Sequence, residues 1–402
     1  MHPDLSRRRF LQGSAAVGAT TALGACTPPG GAASDSPTSG SASIGSAPAA
    51  TAPATTAGGG TLVIVTLYGG NDALNTVVPI DDGAYARQRG ALALAPDSVH
   101  PLSEGFALHP SLGRTAGLWE EGRLAIVHGV GFEGLDRSHF HCMDEWQAAD
   151  AEHTSGWLGR WLDLRGDDPL GAVVVGRQLP LLARGSQRAA AVVPPGPFTL
   201  PGDEALRRGF TSLTAGSDRP PLQALVARSG ADLLRVADRV GPLVEGSADD
   251  DTLAARLSTV ASLIDADLPT RAYAVDLGGF DTHASQLGTH EALLAELDAA
   301  LGDFLERVVG RTVTVVVYSE FGRRVVPNAS NGTDHGAAGT VLLAGHVRRG
   351  HHGDPPSLDR LADGDLVATT DLRSVYGGLL EGVLGVAAAD VLNDPPEPLQ
   401  LV

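Results

Sequence analysis

The sequence contains no lysine, so all of its fixed positive charge comes from arginine, and 47 Asp and Glu residues leave a formal net charge of −18. A protein that tracks a phosphate backbone needs a basic stripe, and none is present. Nucleic acid is therefore excluded as a partner, while a soluble acidic surface accounts for the charge by itself. Cysteine is almost absent, with Cys26 and Cys142 alone. Long apolar runs are lacking too: the longest near the amino terminus, "GSAAVGATTALGA", is short and too rich in Gly, Ala and Thr to span a bilayer as a stable helix. No internal repeat occurs.

What the amino terminus does contain is an address. "SRRRFLQ" (6–12) sets an arginine pair before Phe-Leu and the weakly apolar stretch, the pattern of a twin-arginine export signal. The expected partner is the twin-arginine translocation machinery. "LGAC" ends at Cys26 with Leu at minus three, which resembles a lipobox whose cysteine is acylated. A lipid there would anchor the protein to the membrane without spanning it; an ordinary cleavage site nearby would release it. Residues 1–26 are thus assigned to the signal. Residues 27–60 are Ser, Thr, Ala, Pro and Gly apart from Asp35 and Ile44, too poor in large apolar groups to offset the entropy of ordering, and are assigned to a disordered tether. If Cys26 carries a lipid, no disulfide holds the remaining domain, 61–402. Its roughly 340 residues suffice for one large core without one.

From residue 61 onward short β-branched runs alternate with helical patterns. "TLVIVTLY" (61–68), "LAIVHGV" (124–130), "AVVV" (172–175), "AAAVV" (189–193), "RAYAVDL" (271–277), "TVTVVVY" (312–318) and "TVLLAG" (340–345) are near-continuous apolar runs, as expected of strands covered on both faces. "HEALLAELDAALGDFLERVV" (290–309) carries a helical apolar stripe. The alternation predicts a three-layer αβα sandwich with a largely parallel sheet. Residues 194–267 are more helical and are expected to form an insertion over one edge.

In such sheets ligands bind beyond the carboxyl ends of the strands, and polar clusters occur there repeatedly. Asp72 follows the first run, Ser138 and His139 follow the second, Asp281 and His283 the fifth, and Glu320 the sixth; Asp334 and His335 precede the last. Each has a plain alternative: Asn71-Asp72 is good turn chemistry, Asp281 would serve as a helix cap, and Asp334-His335 lies in a Gly-rich turn. Together, mixed carboxylates and imidazoles without cysteine suit a divalent cation, Zn²⁺, Mn²⁺, Ca²⁺ or Mg²⁺. Asp281 and His283, two apart on an extended segment, project to one side. His139 and His141, two apart at a helix start, do not share a helix face. His351-His352 reads as solvated loop, Asp371 as the cap of the last helix, and Trp157 with Trp161 as core.

The combination "YGGNDALNTVVP", "RSHFHCMDEW", "SGWLGRWLD", "GGFDTHASQ", "SEFGRR", "GTDHGAAG" and "DLRSVYGGLL", in that order over roughly residues 61 to 390, resembles the exported bacterial family catalogued among domains of unknown function as number 1501. That family is similar in fold to the alkaline phosphatase and sulfatase superfamily. The resemblance implies metal ligands at Asp72, Asp281, His283, Glu320, Asp334 and His335. It departs from the superfamily where Asp281 and His283 stand closer than its Asp-x-x-x-His pair, and where Phe321 replaces a histidine after Glu320. One metal or a degenerate site is as consistent with these departures as a two-metal centre. Two functions stay open: a metal-dependent hydrolase of phosphate or sulfate esters, or a non-catalytic exported protein using the cleft for binding or envelope assembly. For the hydrolase, Ser138 opening a helix is the candidate nucleophile and Arg137 the candidate oxyanion clamp. The alternative for Ser138 is an ordinary N-cap.

Overall fold

Thr61–Tyr68 (β1) is apolar at nearly every position because both of its faces are covered: Val63, Val65 and Leu67 enter one core, Leu62 and Ile64 the other. The computed structural model describes residues 59–402 apart from 133, 135, 136, 151, 201, 203, 216–218 and 246–249. The export signal, Cys26 and nearly all of the tether lie outside the described residues.

Eight further strands join β1 in one sheet: Leu124–Gly131 (β2), Ala172–Val175 (β3), Ala191–Val193 (β4), Ala272–Gly278 (β5), Val313–Ser319 (β6), Gly339–Gly345 (β7), Gly350–His352 (β8) and Thr370–Asp371 (β9). Their order is β8-β2-β7-β6-β1-β5-β3-β4, with β9 also on β2. β1 runs parallel to both neighbours, pairing Leu67 with Ser319 on β6 and Tyr68 with Gly278 on β5. β7 alone is antiparallel, to β6 and β2. The carboxyl ends of β1, β2, β5 and β6 therefore gather at one edge, and the residues that precede β7 arrive at that same edge.

The helices are Ala73–Thr76 (α1), Gly83–Arg89 (α2), Gly113–Glu120 (α3), His139–Ala148 (α4), Trp157–Asp163 (α5), Glu204–Thr214 (α6), Pro221–Val244 (α7), Leu253–Asp265 (α8), Gln286–Arg307 (α9) and Leu372–Leu379 (α10). α3, α7, α8 and α9 bury apolar residues in the core on one face of the sheet, and α4, α5 and α10 do so on the other. The result is the helix–sheet–helix sandwich that the alternating pattern predicts. Residues 194–267 carry α6, α7 and α8. α8 and the second half of α7 enter the core through Leu257, Val260, Val236 and Val240, whereas α6 buries no residue.

Trp157 and Trp161 are fully buried, Trp157 stacking on Tyr376 at 4.7 Å, and Asp371 caps α10 by accepting from the Arg373 N–H at 2.8 Å. His351 and His352 correct an expectation: they are not solvated loop but edge strand β8, paired with Ile126 and Val127. His351 stacks on the buried His128, Nδ1 to Nε2 2.8 Å apart; two adjacent polar rings give no periodic signal, and the pairing is purely tertiary.

Candidate metal centre

Close backbone approach builds the edge of the sheet. Gly69 has φ +119°, and a β-carbon there would lie 2.3 Å from the Asp281 nitrogen, so only glycine lets the end of β1 meet the end of β5. Gly332 makes the matching approach from the loop before β7: a β-carbon would stand 2.2 Å from the His283 carbonyl carbon. The buried Arg323 then ties these segments together. It donates through Nε to the Gly70 carbonyl at 2.7 Å, through Nη1 to Thr333 O at 2.9 Å, and through Nη2 to Gly69 O and to Phe280 O. Nη2 also reaches Asp281 Oδ1 at 2.7 Å.

Around Asp281 Oδ1 stand three imidazoles, His283 Nε2 at 3.0 Å, His335 Nε2 at 3.2 Å and His139 Nε2 at 3.4 Å. His283 Nε2 and His335 Nε2 are 2.9 Å apart. Each ring is oriented from behind through Nδ1. His139 Nδ1 meets Glu320 Oε1 at 2.8 Å, His335 Nδ1 meets the Arg137 carbonyl at 2.8 Å, and His283 Nδ1 meets Asp334 Oδ1 at 3.3 Å. A carbonyl or carboxylate can only accept, so each Nδ1 is assigned a proton; His335 Nε2 also donates to Asp281 Oδ1 at 3.2 Å and would give up that proton on binding a cation. Three imidazole nitrogens and one carboxylate oxygen thus converge. His139 Nε2 is buried and makes no hydrogen bond. Carboxylate or carbonyl partners behind ligating histidines are the usual supporting shell of a metal site, and His139, Asp281 and His335 place their ligand atoms within 4.8 Å of one another. The residues present fit a divalent cation.

The supporting groups are themselves fixed. Glu320, almost fully buried, accepts from the Gly69 N–H at 2.8 Å and lies 2.9 Å from Ser319 Oγ. Asn328 Nδ2 bridges the His283 carbonyl and Asp334 Oδ1 at 2.9 and 3.2 Å. Phe321 packs against the rings of His139 and His335 with centroids 4.9 and 4.6 Å away. Burial raises the Asp281 carboxyl, but the Arg323 and His335 hydrogen bonds outweigh it and hold it at about 2. Glu320 behind His139 raises that imidazole, while burial lowers His335. Asn328 lowers Asp334. The Asp281 and His283 side chains are 49% and 43% exposed, so the cluster opens to solvent on that side.

The sequence-stated candidates divide as follows. Asp281, His283 and His335 come together directly; Glu320 and Asp334 stand behind them as partners of imidazoles. Asp72 is set apart: 1% exposed, it pairs with the buried Arg89, accepts from Gln286 Nε2, and caps α1 through the Asn75 N–H. Ser138 occupies the N-cap position of α4 without a side-chain cap hydrogen bond. The Arg137 guanidinium is committed to the buried Asp365, Nε to Oδ2 2.7 Å, and its backbone carbonyl is what faces the cluster. His139 is the residue that sequence reasoning passed over. The available signal was its place in the segment that leaves the second strand, at the same edge of the sheet as the rest of the cluster.

Residues 4–24 match the TAT (twin-arginine translocation) pathway signal sequence, so the chain carries a signal for export across the cytoplasmic membrane. Residues 257–375 match the family described as Protein of unknown function (DUF1501), a span that includes Asp281, His283, Glu320, Arg323, Asp334 and His335. No curated protein matches the sequence. The fold is similar to the C-terminal periplasmic domain of EcEptC from Escherichia coli in complex with Zn, at 9% identity over 73% of this chain and 77% of that one, with a TM-score of 0.38. It is also similar to a protein in the alkaline phosphatase superfamily from Vibrio parahaemolyticus (12%, 86% and 72%, TM-score 0.37) and to the lipoteichoic acid synthase LtaP from Listeria monocytogenes (8%, 84% and 75%, TM-score 0.37). At these identities the likeness concerns architecture alone. No helix among the described residues is long and apolar enough to cross a membrane.

Proposed function

We propose that the exported domain is a metal-dependent hydrolase of phosphate or sulfate esters, with one divalent cation held by His139, Asp281, His283 and His335. One observation carries the reading. Three imidazoles have their Nδ1 atoms committed to Glu320, Asp334 and the Arg137 carbonyl, which leaves three Nε2 atoms and Asp281 Oδ1 turned toward one another. A nitrogen-rich set of this kind favours Zn²⁺ over Ca²⁺ or Mg²⁺, which prefer oxygen alone. A divalent cation bound there supplies Lewis-acid polarisation of an ester oxygen and favours the ionised form of a nearby hydroxyl.

The chain's own residues supply the rest. Arg323 fixes the carboxylate, Phe321 fixes the ring planes, and the exposed side of Asp281 and His283 admits substrate. Ser138 is the proposed nucleophile. It opens α4, a helix with no acidic residue in its first turn, whose first N–H groups have no partner within the helix and favour an incoming anion. Arg137 contributes its carbonyl to His335 in this arrangement; acting as an oxyanion clamp would require its guanidinium to leave Asp365. Asp72 is committed to Arg89, which supports one cation here and not two.

The test is hydrolysis of aryl phosphates and aryl sulfates by the Zn²⁺-loaded protein and its Ser138→Ala variant. Ser138→Ala should keep its metal and fold while losing turnover by at least ~10³-fold, the scale expected for a lost nucleophile. Wild-type-like hydrolysis by the variant removes Ser138 from that role. A loaded wild type that cleaves neither ester class defeats the hydrolase reading and leaves an exported cation-binding protein. We also propose Cys26 as a lipid anchor: Cys26→Ser should move the protein from the membrane to the soluble fraction, and retention through a carbonate wash would refute the anchor.

A further inference from the structure

α4 carries a second group of ligand-type side chains that takes no part in the cluster above. His141 and Glu145 are four residues apart on the helix and share one face, while His139, two residues from His141, faces the strand ends. At its end α4 stops on Ala149 in the left-handed conformation (φ 54°, ψ 31°), and the chain folds back along it. Asp150 Oδ1 organises that return by accepting the N–H groups of Glu152 at 2.9 Å and His153 at 3.1 Å. Arg160 holds the turn from α5, reaching Asp150 Oδ2 at 3.0 Å, Ser155 O at 2.8 Å, Ala148 O at 2.6 Å and Val391 O at 2.7 Å. His153 itself has φ 50°, a left-handed conformation that a non-glycine residue adopts at a cost of order 1 kcal/mol.

The effect is to lay His153 against the helix. Its Nε2 stands 2.9 Å from Glu145 Oε1, and its ring meets that of His141 edge-on with centroids 5.3 Å apart. The ligand atoms of His141, Glu145 and His153 lie within 4.8 Å of one another. The contact between His153 and Glu145 is short but is not oriented as a hydrogen bond, so His153 Nε2 is a buried nitrogen without one. Two half-buried imidazoles and a half-buried carboxylate, two from the helix and one from the turn that follows it, make a ligand set whose ligand atoms converge.

We propose that His141, Glu145 and His153 form a second divalent-cation site, of the two-histidine, one-carboxylate type suited to Zn²⁺, with its remaining positions filled by water. It shares no residue with the centre at the strand ends and does not depend on the hydrolase reading. A cation there clips the turn after α4 to the helix that presents Ser138 and His139 at its other end. Its binding to the folded state alone stabilises the protein by mass action.

The experiment measures Zn²⁺ content of the full protein after loading and dialysis, in a background where Asp281→Asn and His335→Ala have removed the first cluster. The background should retain about one equivalent of Zn²⁺, and X-ray absorption should show imidazole nitrogen around it. Adding His141→Ala with His153→Ala should reduce this to below about a tenth of an equivalent, and the same pair in the otherwise unaltered protein should reduce two equivalents to one. Glu145→Gln serves as a milder second variant, expected to weaken Zn²⁺ binding while its melting temperature in EDTA matches the parent. Absence of zinc from the background, or zinc that persists undiminished through His141→Ala with His153→Ala, overturns the second site without touching the first.

Discussion

The pattern Gly-Gly-x-Asp leaves the sheet twice, on neighbouring parallel strands: Gly69-Gly70-Asn71-Asp72 after β1 and Gly278-Gly279-Phe280-Asp281 after β5. The two aspartates have opposite fates. Asp72 is sealed in, with Arg89, Gln286 and the Asn75 N–H occupying its oxygens. Despite its burial, Arg89 holds its carboxyl below the ordinary value. Asp281 is half exposed, has a single cationic donor in Arg323, and presents the remaining sides of Oδ1 to three imidazoles. Local sequence sets where a carboxylate emerges from the sheet. What reaches it from elsewhere, an arginine from α2 or histidines from two other segments, decides whether it is structural cement or a ligand.

The largest expected effect comes from breaking the two carboxylates in turn. Asp72→Ala strands the fully buried Arg89, which keeps only the Arg324 and Val325 carbonyls at 3.1 Å. Removing one partner of a buried pair costs about 3–5 kcal/mol, a large part of the ~5–15 kcal/mol that a domain has to lose. Denaturant unfolding of the EDTA-treated protein should show that loss, with Asp72→Asn intermediate. Whatever stays folded should bind zinc at the first cluster as before. Asp281→Asn should behave in the opposite way. Arg323 retains its backbone carbonyls, so the apoprotein should lose only ~1.5–3 kcal/mol, the scale of one charge-assisted hydrogen bond. The zinc-dependent rise in stability, about 2.7 kcal/mol when free metal is a hundredfold above Kd, should fall by the share due to the first cluster. If Asp72→Asn removes that metal and Asp281→Asn does not, the assignment of the two residues is reversed.

This contrast also shows what was legible in the sequence. The sheet was, because strands covered on both faces must be apolar throughout: the run at 61–68 is β1 and the run at 172–175 is β3 to the residue. α9 was legible as an apolar stripe from 290, yet it begins at Gln286. Its first turn is not apolar: Gln286 and His290 are buried polar groups, turned toward Asp72 and Asn71. A buried polar residue satisfied by tertiary partners looks, in sequence, like a solvated one. The same blindness hid Arg89 and Arg323, the two arginines that tell the aspartates apart. Strand ends did reveal Asp281, His283, Glu320, Asp334 and His335, because topology alone gathers them at one edge. His139 was hidden behind His141: two residues apart on a helix they cannot share a face, and the structure sends them to different clusters.

A finer comparison lies within the supporting shell, where Glu320 and Asp334 each stand behind a histidine. Glu320 is 2% exposed, 2.8 Å from His139 Nδ1, and clamped by the Gly69 N–H. Asp334 is 57% exposed and 3.3 Å from His283 Nδ1, with water free to replace it. An amide in place of either carboxylate keeps an acceptor oxygen but removes the charge that makes the imidazole a better donor to metal. In the buried position nothing replaces that charge, and the new amide would also have to place an NH₂ group beside Ser319. Glu320→Gln should therefore weaken zinc affinity by about 10–100-fold, the range for lost supporting carboxylates. Asp334→Asn should weaken it by less than about fivefold, since exposed electrostatic contacts contribute ~0–1 kcal/mol. Competition with a chromophoric chelator reads both affinities on the same scale, using a His141→Ala, His153→Ala background so that only the first cluster reports. Equal losses in the two variants would mean that burial does not grade the supporting shell. A loss confined to Asp334→Asn would move the metal away from His139 and toward the exposed side of His283.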